Sequence, residues 1–146
     1  TTFGGETLSL AAAKAAISKL IHTDSLKSIH HFGQKLMDSL NALINQYGIE
    51  SKVQVVAHPS WSFLDMSNFH EVDPMKLKTL YIQTMLENNV ICLGTHNISA
   101  AFKEKELVTL CAAYEQFFTL LSSIQSDFDI DKLLKTPALK PIMKIR

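Results

Sequence analysis

Two stretches of this chain repeat apolar residues every three or four positions, and that spacing limits the fold more than any other feature. The first carries Leu26, Ile29, Phe32, Leu36, Leu40, Leu43 and Tyr47; the second carries Leu107, Leu110, Cys111, Tyr114, Phe117, Leu121 and Ile124. Each lines up one apolar stripe, so helices are expected over 25–47 and 103–126. Thr23 and Asp24 are capping types ahead of the first helix, and Gly48 behind it suits a left-handed helix end. A further helix is expected over 6–22, where strong helix formers dominate and Leu10, Ala13, Ile17 and Leu20 make a buried, closely packing stripe. Asp73 before Pro74 marks another helix start, running to 87, with Asn88 and Asn89 to end it.

The remaining texture is that of strands. Val53, Val55 and Val56 are β-branched, 61–66 is aromatic and aliphatic, and Pro59 stands between as a turn residue. Two short paired strands are expected there. The run 90–93 reads as a buried strand, Gly94 breaks it, and 97–101 reads as a short extended segment. One short helical piece is expected near 130–134, then an extended tail with Pro137 and Pro141. This order predicts an α+β fold: a small, mainly antiparallel sheet of three or four strands with helices packed on one face.

A length of 146 residues, with 47% hydrophobic and 19% charged, excludes two large domains and a disordered chain. Fourteen basic residues balance fourteen acidic ones, so no global field draws the protein to nucleic acid or to an anionic membrane. No window reaches the ~18 to 20 apolar residues of a membrane span. Cys92 and Cys111 lie in apolar runs without CxxC spacing, as buried, reduced thiols of a cytoplasmic protein do. The opening TTFGG has neither an initiator methionine nor a signal-peptide flank, which points to a piece of a longer chain.

Three places offer chemistry. Thr1, Thr2, Phe3, Gly4 and Gly5 stand directly before a helix, where glycines admit a ligand close to the backbone, a threonine hydroxyl donates, and free helix-start amides favour an anion such as phosphate. Against that, no GK[ST] ending follows and Glu6 adds a negative charge, so a plain loop-to-helix turn fits as well. The histidines at 22, 30, 31, 58, 70 and 96 show no HxxxH or HExxH spacing, which favours solvated or hydrogen-bonded rings over metal ligands. The segment 94–99 clusters polar groups after a buried run, and Cys92 with His96 imitates a nucleophile and base, although a thiol flanked by Val90, Ile91 and Leu93 is ordinarily inert. Phe117, Phe118 and Trp61 read as core, Trp61 alternatively as the wall of a pocket shared with a missing part of the protein.

The opening TTFGGETLSLAAAKAAI resembles the TFGG segment of class III, fold-type I, pyridoxal-phosphate-dependent aminotransferases, in the branch close to glutamate-1-semialdehyde 2,1-aminomutase. The similarity continues through HPSWSFLDM at 58–66, LKTLYIQTMLENNVICLGTHNIS at 77–99 and KPIMKIR at the close. The resemblance implies that residues 1–24 are a phosphate-binding loop and helix leading from an N-terminal large domain of the same protein, and that 25–146 is the C-terminal small domain. It implies that Thr2 binds the phosphate of pyridoxal 5'-phosphate belonging to the neighbouring subunit of a homodimer. His96 and Asn97 would border the entrance for a small amino or carbonyl substrate. In the family, the lysine that anchors the cofactor and the aspartate at its pyridine nitrogen lie upstream of the first residue here, so the piece alone is expected to be catalytically silent. THNISAAF stands where many class III transaminases carry an arginine for the substrate α-carboxylate. That agrees better with the aminomutase branch and leaves the substrate open.

Two other classes compete. A non-catalytic α+β ligand-binding or regulatory module would have its start codon close to Thr1. A metal-dependent hydrolase built on the histidines would hold a stoichiometric metal that chelators strip.

Overall fold

The computed structural model describes residue 2 and residues 4–140. Five helices and three strands follow in the order α1 (Thr7–His22), α2 (Ser25–Gln46), β1 (Gln54–His58), β2 (Trp61–Asp65), α3 (Pro74–Glu87), β3 (Thr95–Asn97), α4 (Glu104–Ser122) and α5 (Asp127–Leu133). The sheet is antiparallel with order β1-β2-β3. It is therefore the expected α+β arrangement, with three strands rather than four.

Local chemistry explains the helix ends. Gly48, at φ 64°, closes α2 in a Schellman turn: its N–H donates to Asn45 C=O at 3.1 Å and the Ile49 N–H to Ile44 C=O at 3.2 Å. Asn89, at φ 60°, does the same for α3, with Asn89 N–H on Leu86 C=O and Val90 N–H on Met85 C=O. At the other end of α3, the Asp73 carboxylate accepts the Met75 N–H at 2.7 Å, and Pro74 fills the position whose amide would have had no partner.

Helix α2 lies on β1 and β2 and against α4, which in turn packs on α3; α5 closes over α3. Leu36 and Leu40 from α2, Leu80 and Met85 from α3, and Tyr114, Phe117, Phe118 and Leu121 from α4 meet in one core, each 1% exposed or less. Full burial of each such apolar side chain is worth about 1.5–3 kcal/mol. A glycine in the middle of α2 makes this closure possible. A side chain at Gly33 would collide with the Pro59 carbonyl, so the β1–β2 turn rests directly on the helix backbone.

The structure corrects three expectations. Helix α1 forms as predicted but buries no residue: Leu10 and Ile17 are 56% and 55% exposed, and the helix leans mainly on α2. Its apolar character is real, and nothing among the described residues covers it. The run 90–93 is no strand: Ile91 is 90% exposed and Leu93 73%. Left-handed turns at Asn89 and at Gly94, the latter at φ 105°, bracket the run, so the short strand falls at 95–97 instead. Trp61, read as core, is 56% exposed on the uncovered face of the sheet, beside Phe63. Strand alternation decides this, because Ser62 and Leu64 take the buried side of β2.

Candidate functional site

Residues from four separated segments build a polar line through the core. Ser62 on β2 lies opposite His96 on β3 in the strand register, which turns both side chains to the helix-covered face. Ser62 Oγ and His96 Nδ1 are 3.0 Å apart, and His96 Nε2 meets the Tyr114 hydroxyl at 2.5 Å. Tyr114 and Tyr81 hydroxyls are 2.9 Å apart; Tyr81 donates to Cys92 Sγ at 2.9 Å, and that thiol reaches the Thr95 carbonyl at 3.6 Å.

The last tyrosine sets the direction of every proton. Because Tyr81 donates to the sulfur, its oxygen must accept from Tyr114. Tyr114 must then accept from His96 Nε2–H, which leaves Nδ1 bare to accept from the Ser62 hydroxyl. Each donor is used once, and among the described residues no buried side-chain nitrogen or oxygen lacks a partner. His96, Tyr114 and Tyr81 are neutral. Burial drives the His96 pKa down to about 4 and raises those of Tyr81 and Tyr114 well above the usual phenol range.

This geometry limits the chemistry. Ser62 is 0% exposed, so no substrate reaches its oxygen, despite a serine, histidine and tyrosine in series. Nor does His96 touch Cys92, since two tyrosines intervene, so the imitation of a thiol and its base is not realised. The line borders the surface at Cys92 and His96. There a cleft of about 410 Å³ runs between residues 89–98 and the first turns of α4, with Cys92, His96 and Phe102 among its walls.

Thr2 is exposed in the turn before α1, together with Gly4 and Gly5. Thr1 and Phe3, also singled out in the sequence, lie outside the described residues. The helix-start amides are not free: the Glu6 carboxylate accepts Leu8 N–H at 3.0 Å and Ser9 N–H at 2.6 Å. Hydrogen bonds from the Ser9 side chain and from the Ser9 and Leu8 amides hold the Glu6 pKa low. An anion here meets a capped, negatively charged helix end. What remains for a phosphate is the Thr2 hydroxyl and the turn backbone, a fit for one contact rather than for a cradle.

The other histidines scatter. His22, His30, His31, His58 and His70 are exposed; the His30 and His58 rings lie tilted at 55° with centres 5.6 Å apart, and His58 Nδ1 meets Ser60 Oγ at 2.8 Å. No group of three or more His, Cys, Asp or Glu among the described residues could hold a metal ion. No described helix is long and apolar enough to cross a membrane. Phe117 and Phe118 are buried in the core as expected. Ser62, Tyr81 and Tyr114 were not legible as site residues, because each sits at an ordinary core position of its own element.

Comparison with protein-family models, with curated proteins and with solved structures finds no match to this chain.

Proposed function

We propose that this chain is the C-terminal small domain, with its connecting loop and helix, of a pyridoxal-phosphate-dependent enzyme of the class III aminotransferase type, close to glutamate-1-semialdehyde aminomutase. The observation that carries the reading is the sequence TFGG ahead of a 16-residue helix whose apolar residues are uncovered, Leu8 at 76% and Ile21 at 69% exposure among them. Water does not stabilise such a surface, so the helix is shaped to lie against another body. In this reading that body is the N-terminal large domain.

The cofactor, when bound, supplies the electron sink for moving an amino group between a small amino donor and a carbonyl acceptor, or between adjacent carbons. This chain contributes position. Thr2 donates one hydrogen bond to the phosphate across the homodimer interface, and the turn at Gly4 and Gly5 lets the backbone approach. The anchoring lysine belongs to the large domain, so the small domain alone is silent; two free cysteines suit a cytoplasmic protein.

Thr2→Ala in the full-length parent tests the assignment. One hydrogen bond to a charged acceptor is lost, worth about 1.5–3 kcal/mol, so the cofactor should dissociate more readily, as read by absorbance after dialysis. Unchanged cofactor retention argues against Thr2, and a coding region that starts at Thr1 removes the reading altogether.

A further inference from the structure

We infer that the groove between α2 and α4 receives helix α1 of a second copy of this chain, so that two copies exchange these helices about a two-fold axis. The inference does not rest on the cofactor reading. The groove is open over about 520 Å³. Ser39 and Ala42 from α2 and Ala112 from α4 line it with small side chains, which let another helix come close, and Leu43 and Val108 give it apolar walls, Val108 being 61% exposed. The charged residues that line it, Glu104 and Glu115, are both acids. Lys35 pairs with Glu104 at 3.0 Å, whereas Glu115 forms no ion pair among the described residues. No base lines the groove, so its surface stays negative.

Helix α1 complements that groove in length, surface and charge. Leu10, Ala13, Ile17 and Ile21 form one uncovered stripe at three- and four-residue spacing, the anchor pattern of a helix laid in a groove. Leu10 and Ile21 stand as far apart in their helix as Glu104 and Glu115 do in theirs, about 16 Å in each case. Between Thr7 and His22 the helix holds Lys14 and Lys19 and no acid; Lys14 flanks the stripe and forms no ion pair among the described residues. The opposite side, with Leu8, Ala12 and Ala15, remains for a large domain. The corner after α1 holds the helix off its own groove. Thr23 Oγ1 donates to Lys19 C=O at 2.7 Å and accepts the Ser25 N–H at 3.3 Å, and no residue of α1 lines the groove. A helix held out from its own chain meets a matching groove by exchange between copies. Two-fold symmetry then doubles the contact toward the roughly 1,200–2,000 Å² that specific interfaces bury.

Sedimentation equilibrium of the 146-residue chain should show a reversible monomer–dimer equilibrium with a Kd of about 10–100 µM. Lys14→Glu and Glu115→Lys, both at exposed positions, should each weaken it about tenfold. The double variant, in which the two charges change places, should regain the affinity of the parent. Cys111 lies half-buried in the groove and Cys92 outside it, so alkylation located by mass spectrometry should slow at Cys111 as the dimer forms and stay unchanged at Cys92. The proposal is overturned if the chain stays monomeric up to about 1 mM, or if the double variant associates no better than the single ones. Dimers of a chain lacking residues 1–24, or equal alkylation of Cys111 in monomer and dimer, would overturn it as well.

Discussion

His96 and Tyr114, eighteen positions apart in sequence, share a 2.5 Å hydrogen bond in the core, with His96 3% and Tyr114 0% exposed. The pair holds β3 to α4. It also joins two halves of one polar line, Ser62 on one side and Tyr81 with Cys92 on the other.

Removing the hydroxyl with Tyr114→Phe leaves the His96 Nε2–H without an acceptor and Tyr81 without a donor. Stability should fall by about 1–3 kcal/mol, the cost of stranding a buried polar group. Urea denaturation of the single variants and of a Tyr81→Phe, Tyr114→Phe double variant checks this, and strictly additive losses would contradict a connected line.

Acid should loosen the fold before any carboxylate is involved. His96 is neutral in the folded state with a pKa lowered by burial to about 4, below the value near 6.5 of an unfolded chain. Between those values the unfolded state binds the extra proton, so stability is complete above about pH 6.5 and declines as pH falls toward 4, by up to about 1.4 kcal/mol per pH unit. In His96→Gln that slope should flatten, even though the variant starts less stable. A slope identical to that of the parent would show that another group is responsible.

Gly33→Ala should destabilise, although alanine is the better helix former by about 1 kcal/mol. The added methyl meets the Pro59 backbone, which cannot step aside without lifting the β1–β2 turn from α2. A variant that melts at or above the parent temperature would mean that the turn yields freely.

Deletion of residues 1–24 should leave the rest folded with nearly the same melting temperature, within the roughly 0.5 kcal/mol typical of surface changes, because α1 buries nothing. Solubility should rise as well, since Leu8, Leu10, Ile17 and Ile21 leave with it. Loss of cooperative melting would place α1 inside the folding unit and refute the boundary at 24.

Much of the secondary structure was legible because its causes are local. Periodic leucines made α2 and α4 visible, Asp73 with Pro74 started α3, and Asn89 and Gly48 stopped their helices through backbone conformations that few other residues adopt. Periodicity also named α1, yet it says only that a helix has an apolar surface, not whether this chain holds anything to cover it. The expected strand at 90–93 failed for a related reason: an apolar run has no preference of its own for a sheet, and the left-handed residues at either end turned it out.

The sequence by itself determined where the helices lie, how two of them end and that one β-hairpin accompanies them, since these follow from interactions within a few residues. Tertiary structure alone decided that Ser62, His96, Tyr114, Tyr81 and Cys92 form one line, that the Glu6 carboxylate occupies the helix start before which Thr2 stands, and that an acidic groove lies open between α2 and α4. Hydrogen bonds between distant segments, and the grooves that packed helices leave between them, exist only once the chain has closed on itself.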